Sequence, residues 1–446
     1  MFYRLSISIR LIAVLATLIG PADTSSAQNQ PWALTHASLV DVAAGKVVTQ
    51  QTIYIRDGRI ATVGPTDKSR IPANIRSVDA SGLFILPGLF NMHTHLFGTG
   101  VLRTPPLKKY VATGVLGVRD LGSPLEEIIA ISRDRPSAIQ PMIWFSGPII
   151  DVPRAPGPGS FLFRYVSGEV EARNTVRGLA QRGVQFIKVH DWLPRATYFS
   201  IAESARSEHL PLVGHVPAAV SIDEAITAGQ KSVEHLGGLT HAVLRRCSSA
   251  DDQMQEEVLL RGSKEDKRPA YELVMSSAYI MHLLNAFDAN RCQALITRLA
   301  RARVWQVPTL VLWQLWATGP LPGSDEDKTA RRQLFDRYLQ IVATMYKEGV
   351  PLLAGTDEIL TIQDELELLT RAGLPPAAAL KAATISPAEF LGVQGTFGSV
   401  APGRTADLIL LEANPLIDIR NLRHIQSVVL RGAQLNQTQL SDAAER

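Results

Sequence analysis

His93 and His95 close the run Asn-Met-His-Thr-His, two residues apart. On an extended chain that spacing points both imidazoles to one face, where they can share a cation. Three more groups of the same chemistry end similar short runs: His215 after Leu-Val-Gly, His235 after Ser-Val-Glu, and Asp357 after Ala-Gly-Thr. One strand-end histidine is usually an ordinary core or surface residue. Five metal-competent groups, each at the end of an apolar run, point instead to a metal site. Lys188, after Phe186-Ile187, belongs with them on position. An ammonium beside a dication loses solvation and is repelled, so there it must either shed its proton or be converted to an anion. With Cys247 and Cys292 the only cysteines, any metal rests on His, Asp, Glu or Lys. Arg154 and Arg164 are candidates to bind a substrate carboxylate, and His190, Trp192 and His241 are candidate cavity walls. Arg119 and Asp120 are expected to pair with each other behind the site. His36, His209, His282 and His424 lie away from strand ends and read as structural or surface groups.

The elements that must position these groups can be counted. Short apolar runs start at Leu83, Gly114, Met142, Val184, Leu210, Lys231, Val304 and Val350, and most are separated by helical stretches such as 376–392. Eight such βα units are the number that closes a (β/α)8 TIM barrel, an α/β fold whose active groups sit at the C-terminal ends of its strands. Two connections are long: the Pro/Gly-rich loop 151–168 and a charged, mostly helical insertion 245–302. Loops of that length often act as lids or substrate walls. Residues 33–40, 47–56 and 59–64 read as strands, the last two joined by an Asp57-Gly58 turn. Residues 398–415 and 425–432 are β-rich as well, so the two chain ends are expected to form one small sheet domain.

Residues 1–27 place Arg4 and Arg10 before the apolar run Leu11–Ile19 and end in Ser-Ser-Ala, the pattern of a cleaved secretory signal. Nine apolar residues fall short of a membrane span. The expected location is therefore exported, periplasmic or secreted, with no permanent anchor, and pairing of Cys247 with Cys292 is open in such a compartment. The 446 residues carry 45 Lys+Arg against 42 Asp+Glu, with 46% apolar content. That composition excludes disorder and coiled coil and leaves no basic footprint for nucleic acid. The expected partner is a small-molecule substrate, with a homo-oligomer the other candidate association.

The runs LPGLFNMHTH, FIKVHD, VGHV, SVEHLGG, LLAGTDE and GSVAPGRTADLILLEANP resemble the amidohydrolase superfamily, in its imidazolonepropionase-like and prolidase-like branch. The resemblance spans nearly the whole chain after residue 27. It implies a metal-bearing (β/α)8 barrel over 85–395 and a small β-sandwich built from 28–84 and 396–446. It also implies two divalent ions, zinc being the best fit to His and carboxylate ligands. His93, His95 and Asp357 would bind the first and His215 and His235 the second. Lys188 matches a lysine that is carboxylated in binuclear members and bridges the ions, which removes the charge conflict. Asn91 departs from the aspartate common before the histidine pair, and Val-His-Asp-Trp after Lys188 departs from a Gly-rich continuation, which weakens substrate inference.

The chemistry this implies is hydrolysis of an amide-type C–N bond by metal-activated hydroxide, with Asp357 as general acid and base. A dipeptide or N-acyl amino acid is the favoured substrate. The alternatives are a mononuclear cyclic-amide hydrolase or deaminase with Lys188 unmodified, and a non-catalytic exported binding protein on the same scaffold.

Overall fold

The computed structural model describes residues 30–98, 106–133, 139–154, 159–262, 268–357, 361–436 and 438–440. Residues 1–27, read above as a secretory signal, lie outside them. Among the described residues, no helix is long and apolar enough to cross a membrane.

The first strands are β1 (Trp32–Asp41), β2 (Lys46–Arg56), β3 (Arg59–Pro65), β4 (Arg76–Asp79) and β5 (Phe84–Pro87). Asp57 and Gly58 join β2 to β3 with φ of 52° and 71°, the doubly left-handed turn that matches the twist of a two-residue hairpin. The chain end adds β15 (Leu408–Leu411), β16 (Ile425–Leu430) and β17 (Ala433–Leu435). All eight form one mixed sheet in the order β17-β16-β15-β5-β1-β2-β3, with β4 beside β1. Antiparallel pairing of β15 with β5 brings the two ends of the chain together. The inward side chains, among them Trp32, Leu34, Ile53, Ile85, Leu408 and Val429, make a separate buried cluster.

Between these ends lie β6 (Leu89–Thr94), β7 (Val115–Asp120), β8 (Met142–Phe145), β9 (Ile149–Asp151), β10 (Phe163–Tyr165), β11 (Ile187–Val189), β12 (Leu212–Gly214), β13 (Ser232–Glu234) and β14 (Trp305–Val307). Every pairing among them is parallel, in the orders β6-β7-β8 and β10-β9-β11-β12-β13-β14. Helices connect most of them, the arrangement that buries a parallel sheet on both faces. Residues 350–357 stand between the two groups. Leu353 N–H donates to Gln306 O at 2.9 Å on one side, and on the other Met92 N–H donates to Ala354 O and Asp357 N–H to His93 O, both at 2.9 Å. The fold is thus TIM-barrel-like α/β.

Three elements differ from expectation. Residues 350–357 make isolated bridges, not a strand, because Pro351 has no N–H to give and Asp357 turns to φ 71°. The run 83–95 is two strands, since β5 joins the chain-end sheet and β6 the barrel-like one, with Gly88 as the joint. A Cβ at Gly88 would meet the Leu116 side chain at 2.5 Å, so only glycine passes there. The helical stretch 376–392 is two helices, Pro376–Ala382 and Ile385–Leu391, because Pro387 cannot donate to the preceding turn.

The insertion after β13 is helical, as expected: Ala242–Arg246, Asp251–Gly262, Arg268–Val274, Ser277–Asn285 and Ala289–Ala302. Cys247 and Cys292 are joined as a disulfide that ties the start of this insertion to its last helix.

Candidate metal centre

His93 lies near the end of β6 and His95 just follows it, Lys188 lies on β11, His215 and His235 follow β12 and β13, and Asp357 closes the bridging segment. Parallel strands all end on the same side, so the six side chains meet at one mouth. The Nε2 atoms of His93, His95 and His235 lie 3.2, 3.2 and 3.7 Å from Asp357 Oδ1. The rings of His215 and His235 stand 5.0 Å apart.

The other ring nitrogen of each histidine is already engaged. Nδ1 of His93 donates to Glu234 Oε2 at 2.8 Å, and Nδ1 of His95 to Gly122 O at 3.1 Å. Nδ1 of His215 donates to Asp191 Oδ1 at 2.9 Å, and Nδ1 of His235 to Thr309 Oγ1 at 2.7 Å. Carboxylates and carbonyls only accept, and the Thr309 hydroxyl hydrogen is directed to Pro308 O at 2.7 Å. With Nδ1 engaged, each of the four imidazoles turns Nε2 toward the mouth, the atom that would ligate a cation. His93 Nε2 and Lys188 Nζ are buried without a hydrogen-bond partner, a costly state for polar atoms unless another group completes it. The residues thus fit divalent cations, with His93, His235 and Asp357 forming one close donor group and His190, Asp191 and His215 another.

Electrostatics distinguish the donors: burial opposes a charge on His95, but Asp357 overcomes that and raises it. Burial pushes His215 and His235 well below the usual imidazole range, so both stay neutral. Burial also lowers Lys188 to about 8, against the pull of Glu234 and Asp357. Asp357 is held well below the carboxylate range: burial opposes its charge, but its contacts with His93 and His95 overcome that. Backbone geometry aims the ligands. His235 and Leu236 have φ of 52° and 56°, and Gly237 and Gly238 continue at 106° and 85°, which turns the chain sharply back over His215. A Cβ on Gly238 would lie 2.5 Å from His215 Nδ1 and 2.7 Å from Asp191 Oδ1.

Beneath the mouth, Arg119 does not pair with Asp120. Neighbours on a strand point to opposite faces. Arg119 faces inward, where Nη2 donates to both Glu234 oxygens at 3.0 Å and Nε to Met92 O at 2.6 Å. Asp120 instead accepts from Leu96 N–H at 2.7 Å and from Ser123. Asn91 accepts the backbone N–H of Thr356 and of His93 and donates to Thr356 Oγ1, clamping β6 to the segment that ends in Asp357.

A cavity of about 340 Å³ opens over this cluster. Its floor includes His95, Lys188, His215, His235 and Asp357, and its walls Phe163, Tyr271, Met275, Trp313 and Trp316, with Arg154 and His190 at one side. Of the expected substrate residues, Arg154 and His190 line it and three do not. Arg164 alternates outward on β10 and pairs with Glu171 at 3.7 Å. Trp192 sits behind the wall, its ring against Tyr271 at 5.0 Å. His241 is fully buried: Nε2–H donates to Val274 O at 3.0 Å and Nδ1 takes the Tyr338 hydroxyl at 2.7 Å, so it braces the insertion. Sequence reasoning missed Glu234, Asp191 and Thr309, although Glu234 precedes a ligand and Asp191 follows His190 directly.

Residues 323–435 match the model of the amidohydrolase family. Ochratoxinase of Aspergillus niger is 24% identical over 93% of this chain and 88% of its own. The crystal structure of that enzyme superposes with a TM-score of 0.64 at 20% identity, covering 91% of this chain and 96% of the other. A prolidase complexed with N-methylphosphonate-L-proline superposes with a TM-score of 0.69 at 19% identity, covering 91% and 100%. An adenine deaminase of Paracoccus denitrificans is 29% identical over 86 residues, 15% of this chain and 14% of its own.

Proposed function

We propose that this chain, which carries an amidohydrolase family domain, is a metal-dependent hydrolase that cleaves an amide-type C–N bond, with dipeptides or N-acyl amino acids as the favoured substrates. The observation that carries the reading is a set of four histidines anchored through Nδ1, whose Nε2 atoms face one mouth beside Asp357 and a buried Lys188 whose Nζ has no hydrogen-bond partner. In this reading the ligand-bearing segment 85–395 closes as a (β/α)8 barrel, and 28–84 with 396–446 make the composite sandwich domain.

His93, His95 and Asp357 would hold one divalent ion, and His215 and His235 the second, with zinc the best chemical fit. Lys188, carboxylated, would bridge them. Its lowered pKa of about 8 supports this, because only the neutral amine takes up carbon dioxide. When bound, the ions supply Lewis-acid polarisation of a carbonyl and acidify water. Asp357 carries the proton work: its side chain is 16% exposed, open to the cavity, and is held in the ionised form that can accept a proton. It then returns that proton to the departing nitrogen. Arg154 supplies the positive charge at the cavity side that a substrate carboxylate needs. The signal reading of residues 1–27 makes the enzyme an exported one.

Elemental analysis of protein produced with zinc and bicarbonate tests the centre: about two equivalents per chain are expected. One equivalent would favour the cyclic-amide hydrolase or deaminase reading, and none would overturn the hydrolase reading. Asp357→Asn should lower kcat by at least about 100-fold while part of the metal is retained. Near-normal kcat in that variant would remove Asp357 from the proton path.

A further inference from the structure

The cavity lining is chemically mixed. Trp313, Trp316, Met275 and Leu312 give it apolar lining, and Arg154 is the one guanidinium among its lining residues. That guanidinium is built in. Its Cζ lies 3.9 Å over the Phe163 ring, Nη1 donates to Tyr271 Oη at 2.8 Å, and Nε donates to Tyr165 Oη at 3.3 Å. No ion pair engages Arg154 among the described residues, and the four that follow it, Ala-Pro-Gly-Pro, are not acidic. The three aromatic partners come from different elements. Phe163 and Tyr165 alternate inward on β10, and Tyr271 rides on Arg268–Val274 of the insertion.

The Asp151 and Asp191 carboxylates help to hold the charge of Arg154 from nearby, but its hydrogen bonds go to neutral hydroxyls and no carboxylate pairs with it directly among the described residues, which leaves the guanidinium able to take a ligand. Each tyrosine oxygen accepts from arginine, which leaves its own O–H free to donate to the same ligand. A planar anion such as a carboxylate fits that set, because it can take the guanidinium edge and a phenolic hydroxyl together. Tyr271 is the stronger of the two props by distance. It is also held from behind by the Trp192 ring, and its helix ends at Val274, whose carbonyl is tied by His241.

Resting on the proposed reading of Arg154 as the carboxylate-binding residue, we infer that Tyr271 of the insertion is the positioning residue that orients Arg154, so that the insertion sets the preference of the site for substrates with a free carboxylate beside an apolar side chain.

The test is a fluorescence titration of zinc-loaded protein in the Asp357→Asn background, where turnover is blocked. The probes are N-benzoyl-L-phenylalanine and its methyl ester, which differ only in the carboxylate. The acid should bind at least about 30-fold tighter than the ester, as expected for a charge-assisted contact. Arg154→Met should bring that ratio close to one. Tyr271→Phe, which removes one oxygen, should cut it roughly 5-fold and leave ester binding unchanged, an outcome that general loosening of the wall would not give. Tyr165→Phe should have a smaller effect. If Arg154→Met abolishes the ratio and Tyr271→Phe leaves it intact, the positioning role of Tyr271 is wrong while the Arg154 reading stands. If the ratio survives Arg154→Met, or the parent shows none, the carboxylate reading itself is overturned.

Discussion

Glu365 offers a test of the scaffold that does not depend on the metal. It sits on the helix Ile362–Arg371, is fully buried, and Oε2 accepts the N–H of Val311 at 2.9 Å. It thereby caps the helix Leu310–Thr318, which carries Trp313 and Trp316 into the cavity wall and follows Thr309, the partner of His235. Burial raises its carboxyl from 4.5 to about 8, and the Val311 and Leu310 amides offset only part of that. The folded carboxyl therefore keeps its proton at pH values where the unfolded one has lost it. Its contribution to stability is complete below about pH 4.5 and is lost as pH rises to about 8, a change of about 5 kcal/mol for a shift of roughly 3.5 units. Glu365→Gln keeps the acceptor and the shape but cannot ionise. Thermal melts of both proteins at equal metal loading, from pH 5 to pH 9, should diverge up to about pH 8 and then run parallel, with the variant melting about 5 °C higher at the alkaline end. Curves parallel over the whole range would mean that Glu365 is either solvated or paired, and the assignment of an isolated buried carboxyl would be wrong.

Two further perturbations bear on the site and its wall. Gly238→Ala places a methyl group against the His215 ring at a backbone φ of 85°, so it should selectively lower occupancy of the His215/His235 metal position; elemental analysis showing unchanged metal content would count against the close packing described there. Replacing Cys247 and Cys292 together by serine opens a loop of sequence separation 45, which should reduce stability by about 4 kcal/mol on loop entropy, read as a lower denaturant midpoint; an unchanged midpoint would show that helix packing alone holds the insertion.

The ligand cluster was legible because strand ends are marked twice, by the apolar run and by the polar residue that breaks it. His93 and His95 could be placed on one face from a spacing of two. The residues that orient the ligands carry no such mark. Glu234 reaches His93 across 141 positions and Thr309 reaches His235 across 74, and both are ordinary residues until the strands are in register. The expected Arg119–Asp120 pair fails on strand alternation, a rule that was available: adjacent residues cannot share a face. Trp192 and His241 were expected at the wall because they lie near ligands in sequence, but side chains directed behind the wall cannot be told from those directed at it without the insertion in place. The strand 83–95 was read as one because Gly88 does not interrupt its apolar pattern.

That glycine joint has a mechanical meaning. β5 is clasped by β15 from the far end of the chain, and one residue later the same backbone becomes the strand that carries His93 and His95. Gly88 N–H is itself held by Asp407 O at 2.9 Å. Proteolytic clipping or truncation that removes the last strands would therefore unclasp β5 and slacken the ligand strand from its base. The tail, remote from the cavity, is the anchor against which the histidine pair is drawn taut.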